Sequence, residues 1–307
     1  MSSPQTTPPR IAPPTIGVFD SGFGGLTVLR ALVDRLPHAH FAFIGDTARL
    51  PYGSKSRRTI ARYAVESAQF LVREQGAEFL VIACNTASAL ALDAIQAAVP
   101  IPVLGVIEPG AANARASSST GDVLVIATDA TVHSHAYAAA CSALGLRALE
   151  KACPLLVPLV EEGWTNHPVT EQVIRVYLDE LLGDAAVQGL KPDTLVLGCT
   201  HYPLLRPLIE RAVPPGMKVI DSAESAADAA VHLIHGKDET VSDSTALSGG
   251  ASRVSPTAPP GSPRTGLRPW GGQIRCFATD SVEKFERLGS RFLGQPVGNV
   301  ELVDLGG

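Results

Sequence analysis

Two thiols carry the most chemistry in this sequence. Cys84 stands in the stretch VIACNTASAL, from Val81, and Cys199 in LVLGCTHYPL, from Leu195. The two stretches share a plan: an apolar run, a small residue, the cysteine, Asn or Thr, then Thr or His, and a helical pattern beyond. At a helix start the free backbone N–H groups and the helix dipole favour a thiolate. A lone free cysteine is ordinarily a small buried hydrophobe. Polar company at a strand end sets these two apart from Cys141, Cys153 and Cys276, which read as structural. Inverting a stereocentre by proton transfer needs one acid–base group on each face of the carbon. Two equivalent thiols suit that reaction, whereas a single nucleophile with one histidine would need only one. The five cysteines are odd in number, widely spaced and without a CxxC pair, so neither a disulfide framework nor a zinc site is expected.

Other candidates fall at the ends of apolar runs. His201, two residues after Cys199, is placed to tune that thiol; the bland alternative is a surface or capping histidine. The other seven histidines show no convergent pattern. Asp20 is followed by Ser21-Gly22-Phe23-Gly24-Gly25, where the glycines permit close backbone approach to a ligand and the helix beyond favours an anion. Asp20 reads equally as a helix cap. The loop from Asp46 to Gly53 holds a Pro-Tyr-Gly turn with Tyr52 and Gly53. Glu161 and Glu162 follow the apolar segment LLVPLV; each is either a site acid or a solvated helix start. Thr128 and Thr131 either bind a carboxylate or cap a helix. A rival reading takes Gly22 and Gly24 with Asp46 as a dinucleotide fingerprint. Thr27 at the third glycine position and the charge of Asp20 beside a pyrophosphate speak against it.

These residues need a scaffold. Strands are expected at Ile16–Phe19, His40–Ile44, Phe79–Ala83, Val103–Val106, Val123–Ala127, Leu195–Gly198 and Lys218–Ile220. Helices are expected at Leu26–Leu36, Thr59–Gln75, Ala87–Ala98, His133–Leu144, Thr170–Leu182 and Tyr202–Ala212. The strands read as continuous apolar runs, the mark of a parallel sheet covered on both faces. Strand–helix alternation gives an α/β fold, and ligands in open α/β sheets bind beyond the carboxyl ends of the strands. The cysteine echo, with a weaker one between VFDSG from Val18 and VIDSA from Val219, suggests two similar lobes, each a mostly parallel sheet flanked by helices. The leader, residues 1–15, and the Ser/Pro/Gly-rich stretch at about 241–272 are expected to be flexible. Order resumes at Ile274–Ala278 and in a helix near Ser281–Leu293, which most simply return to the first lobe.

Composition narrows the function. The 307 residues include 45% hydrophobic and 18% charged side chains, ample for a packed core. The net charge of −5 argues against a nucleic-acid or anionic-membrane binder, and no apolar run approaches a membrane span. With no signal-peptide pattern in the leader, a cytoplasmic location is expected.

Together the stretches FDSGFGGLTVLRAL, GDTARLPYG, ACNTAS, PVLGVIEPGA, VPLVEEG, LGCTHYPLL and IDSAE resemble glutamate racemases, a cofactor-independent branch of the aspartate/glutamate racemase superfamily. They follow the family's order from about Ile16 to Glu224, and RCFATD near the end fits as well. The resemblance implies two α/β lobes with the active site in the cleft between them. The first lobe would comprise residues 16–107 and 222–307, and the second residues 108–221. It implies Cys84 and Cys199 as the bases for the two enantiomers, Asp20 assisting Cys84, and His201 with Glu161 assisting Cys199. Asp20, Ser21, Tyr52, Gly53, Asn85, Thr86, Thr200 and His201 match its substrate-contact motifs, and Thr131 is a further contact. It implies no cofactor and no metal, glutamate as substrate, D-glutamate for peptidoglycan as product, and a homodimer. The alternatives are a racemase for aspartate or another acidic amino acid, a nicotinamide oxidoreductase, and a non-enzymatic amino-acid binder.

Overall fold

The structure, a computed structural model, describes residues 13–242 and 272–306. The expected flexible leader and the 241–272 stretch lie outside the described residues except at their edges. Among the described residues, ten strands form two sheets. The first takes β1 (Thr15–Asp20), β2 (His40–Gly45), β3 (Phe79–Ile82) and β4 (Val103–Gly105), with β9 (Ile274–Ala278) and β10 (Val300–Leu302). Its order is β10-β9-β2-β1-β3-β4. The second takes β5 (Asp122–Ala127), β6 (Arg147–Ala152), β7 (Thr194–Gly198) and β8 (Lys218–Asp221), in the order β6-β5-β7-β8. Every paired strand runs parallel to its neighbour.

The two sheets repeat one plan. Numbered within each sheet, the first four strands lie 2-1-3-4 in both. A cysteine follows the third strand in each: Cys84 after β3 and Cys199 after β7. The VFDSG–VIDSA echo does not belong to this repeat. Asp20 ends the first strand of one sheet, whereas Asp221 ends the fourth strand of the other. The equivalent of the Asp20 turn is the Thr128 turn after β5.

Local sequence explains the strands that carry the site. Phe79–Ile82 and Asp122–Ala127 are buried at every residue, as central parallel strands require. The chain passes between the sheets twice. Helix Ile107–Ser117 leads from β4 to β5, and helix Ser222–Ser242 leads away from β8 and packs against helices Leu26–Arg35 and Ile107–Ser117. The segment after the insertion pairs β9 with β2, from Phe41↔Ile274 to Gly45↔Ala278. Phe285 on helix Val282–Leu293 meets the rings of Phe23 and Phe43 edge-on, at 5.6 and 5.9 Å. Those contacts bring the late helix to the mouth of β1. No helix among the described residues is long and apolar enough to cross a membrane.

Candidate active site

At the end of β3 the chain turns into helix Asn85–Leu90 with Cys84 as its N-cap, and the sulfur accepts the Ala87 N–H at 3.4 Å. The thiol donates to Ser21 Oγ at 3.3 Å. Burial, and then the nearby charge of Asp20, push the Cys84 thiol up to about 12, against the pull of Ser21 and Ala87. The helix start therefore acts in the expected direction but loses to desolvation, and Cys84 is a thiol at neutral pH. Asp20 lies behind it. Its carboxylate accepts the Gly22 N–H at 2.9 Å, and Thr200 Oγ1 donates to it from the other sheet at 3.5 Å. Burial raises Asp20 above the usual carboxylate range despite the cationic His201 and those donors.

Cys199 has different company. After β7 the chain makes a turn and enters a short 3₁₀ helix, Tyr202–Leu205, rather than an α-helix. Cys199 Sγ lies 3.9 Å from His201 Nδ1, and His201 Nε2 lies 3.3 Å from Glu161 Oε1. Glu161, at the end of helix Leu156–Glu161, also meets Lys284 Nζ at 3.3 Å. Each ring nitrogen of His201 thus faces an acceptor, which is the arrangement that suits an imidazolium. Burial pulls His201 down, but the hydrogen bonds to Cys199 and Glu161 outweigh it and raise the imidazole to about 10. Burial works upward on Glu161, where the bonds and charges of His201 and Lys284 prevail and hold it below its ordinary value. The Phe292 ring packs edge-on against His201 at 5.1 Å.

The raised imidazole has a consequence for stability. A folded value of about 10 against an ordinary 6.5 stabilises the fold fully below pH 6.5, and that contribution is lost as pH rises through about 10. Wild-type protein is therefore expected to lose stability relative to His201→Asn between those limits in urea unfolding. A gap that stays constant across that range would contradict the pairing.

Both cysteines open on one cavity of about 580 Å³, a size ordinary for small-molecule sites. Its wall includes Ser21, Tyr52, Gly53, Asn85, Thr86, Thr128, Glu161, Thr200 and His201, so most expected contact residues converge there. No Lys or Arg among the described residues lines it. A guest would meet hydroxyls, amides and the His201 cation, with the carboxylates of Asp129, Glu161 and Glu162 also in the wall. Asp20 and Thr131 are not in the wall but behind it. Thr131 shares a hydroxyl cluster with Thr86 at 3.2 Å and Thr128 at 2.9 Å. Thr128 caps helix Asp129–Ser134, one of the two roles expected of it, and also lines the cavity. Tyr52 lines the cavity as well. Its ring is buried and its hydroxyl donates to Asp46, so its phenol is already engaged.

The glycines of the Asp20 loop serve packing rather than a ligand. A Cβ on Gly24 would strike the Thr200 hydroxyl and come within 2.7 Å of His201 Nδ1. A Cβ on Gly25 would lie 2.5 Å from Asp20 Cβ. Side chains of the second sheet pack against this loop, and Asp20 occupies the Gly22 amide; both speak against the dinucleotide reading. Three residues escaped the sequence reading: Lys284, Phe292 and Tyr137, whose hydroxyl donates to Asn85 Oδ1 at 2.7 Å. No local motif announces them. A lone aromatic in the Ala-rich helix Ala136–Ala143 reads as plain core, and the other two lie beyond the insertion.

This is the geometry of an acid–base isomerase: two thiols, from matching turns of two matching sheets, over one small cavity. Comparison with known proteins agrees. Residues 16–230 match the family model described as Asp/Glu/Hydantoin racemase. The glutamate racemase of Koribacter versatilis is 55% identical over 297 residues, covering 96% of this chain and 98% of that one. The crystal structure of a glutamate racemase isoform from Bacillus anthracis superposes with a TM-score of 0.79 at 33% identity, covering 96% of this chain and 99% of that one. The glutamate racemase of Francisella tularensis in complex with D-glutamate gives 0.77 at 32% identity, with 96% and 99% covered. The chain belongs to the Asp/Glu/hydantoin racemase family, among its glutamate racemases.

Proposed function

We infer that this chain interconverts L- and D-glutamate, without a cofactor, with one of Cys84 and Cys199 removing the α-proton and the other supplying a proton to the opposite face. The observation that carries the reading is that both sulfurs open on the same cavity from equivalent positions in the two sheets. One sulfur takes the α-proton as thiolate while the opposite thiol delivers its own proton to the other face of the carbon. The two sulfurs have different partners. Cys84 is held as the thiol, and the His201 imidazolium lies against the Cys199 sulfur. Glu161 and Lys284 hold the imidazole in place. Asp20 acts on Cys84 through its charge and through the turn that presents Ser21. A thiol raised to about 12 becomes a strong base once deprotonated, which suits a weakly acidic carbon.

Ser21, Asn85, Thr86, Thr200 and the Tyr52-Gly53 turn hold the two carboxylates and the ammonium, and buried donors stabilise the carbanion-like state. We assign the first lobe to residues 16–107 with 222–307 and the second to 108–221, supported by the strand membership of the two sheets. The product D-glutamate serves peptidoglycan synthesis. Working thiols suit the reducing cytoplasm.

The test is direct. Purified protein in cofactor-free D2O is expected to abolish the optical rotation of L-glutamate and to introduce α-deuterium, and to act much more weakly on L-aspartate. Faster racemisation of aspartate would overturn the substrate assignment. Unchanged rotation with both would overturn the reaction.

A further inference from the structure

We propose that Tyr137 is a positioning residue that fixes the Asn85 amide for substrate and ties together the two cysteine-bearing turns. The inference rests on the reading of Asn85 as a substrate contact. Tyr137 is completely buried on helix Ala136–Ala143, in the second sheet's layer. Its hydroxyl reaches across to Asn85, the residue after Cys84, and donates to Oδ1 at 2.7 Å. A phenol O–H bonded to Asn85 Oδ1 decides which way the amide points. The Nδ2 group is then the end left over, and it is buried in the cavity-lining residue with no hydrogen-bond partner. A buried N–H₂ without a partner is costly, and an acceptor oxygen on the guest would satisfy it. A substrate carboxylate is such an acceptor.

The ring does a second job. It lies against Gly198, the residue before Cys199: a Cβ there would come within 3.0 Å of Tyr137 Cε2 and of the Ile126 carbonyl. On its other edge a Cβ at Gly110 would meet both ring and hydroxyl at 3.2 Å. Two glycines thus form a slot for this ring. Gly110 stands on helix Ile107–Ser117, where the chain crosses from the first sheet to the second. One side chain therefore touches the turn of each catalytic thiol and the crossover between sheets.

Tyr137→Phe keeps the ring in its slot and removes only the hydroxyl, so it separates the two jobs. With the amide free to turn, Kd and KM for both enantiomers are expected to rise about 5–10-fold, with kcat per folded site changed less than about 2-fold. Asn85→Ala is expected to raise them at least as much, and the double variant to match Asn85→Ala alone. A merely structural tyrosine would lower the melting temperature and the folded fraction without moving Kd. Wild-type Kd in Tyr137→Phe, or effects of the two changes that multiply, would overturn the proposal. Glutamate Kd is measured by calorimetry alongside turnover. A chain that binds glutamate without inverting it would thus fail the racemase reading while still deciding this one.

Discussion

Cys84→Ala and Cys199→Ala are each expected to lower glutamate racemisation by about 10²–10⁴-fold, the contribution of a positioned acid–base group. Each variant deprives one face of the substrate carbon of its only sulfur, so the loss should hold in both reaction directions. Cys141→Ala is the control. Cys141 is also fully buried, but on helix Ala136–Ala143 and outside the cavity wall. Its loss should leave the rate per folded molecule unchanged. Polarimetry with D- and L-glutamate as separate starting materials checks all three. Near-normal activity in either of the first two variants would remove that sulfur from the mechanism.

Gly24→Ala is expected to be the most damaging change outside the reacting groups. The added methyl would be driven into the Thr200 hydroxyl and the His201 ring, where the first sheet's loop meets the Cys199 turn. Neither neighbour is the free end of a flexible chain, since both are buried. Overpacking of this kind costs roughly 1–3 kcal/mol. Displacing His201 by even about 1 Å from Cys199 is enough to cost about 10²-fold in rate. Melting temperature and kcat together read both effects. Wild-type values for both would show that the two sheets do not meet as described.

Much of the scaffold is legible in the sequence because central parallel strands are apolar on both faces. Val123–Ala127, Phe79–Ala83 and Leu195–Gly198 announce themselves in that way, and the structure places them within a residue or so of those bounds. β6 does not: it is an edge strand, RALEKA, half exposed along its length, and its polar residues hide it. The helices expected at Ala87–Ala98 and His133–Leu144 are each broken in two, at Ala91 and at His135. His135 takes a left-handed conformation that no residue pattern around it demands. The crossover helix Ile107–Ser117 carries Pro and Gly, which obscure it.

The site was partly legible for a similar reason. Cys84, Asn85, Cys199 and His201 stand in short strand-end motifs, so sequence neighbours become spatial neighbours. Glu161 reaches His201 across 40 positions, and Lys284 reaches Glu161 across 123. Such contacts are products of the fold, and for Lys284 and Tyr137 nothing in the local sequence anticipates them. The asymmetry of the two thiols is likewise visible only with burial and partners in place. The motifs look alike, yet one sulfur faces a serine hydroxyl and the other an imidazolium.

The central claim, that two sulfurs work on opposite faces of one carbon, is tested most directly by where solvent hydrogen goes in the first turnovers. L-glutamate bearing protium at the α-carbon is incubated briefly with the wild-type protein in D2O, and both enantiomers are recovered and analysed by mass and NMR. D-glutamate is expected to carry one α-deuterium while the remaining L-glutamate is still protiated, because each thiol returns its own hydrogen to its own face. Early D-glutamate that keeps its protium, or L-glutamate that exchanges as fast as it inverts, would mean that a single group serves both faces and would contradict it.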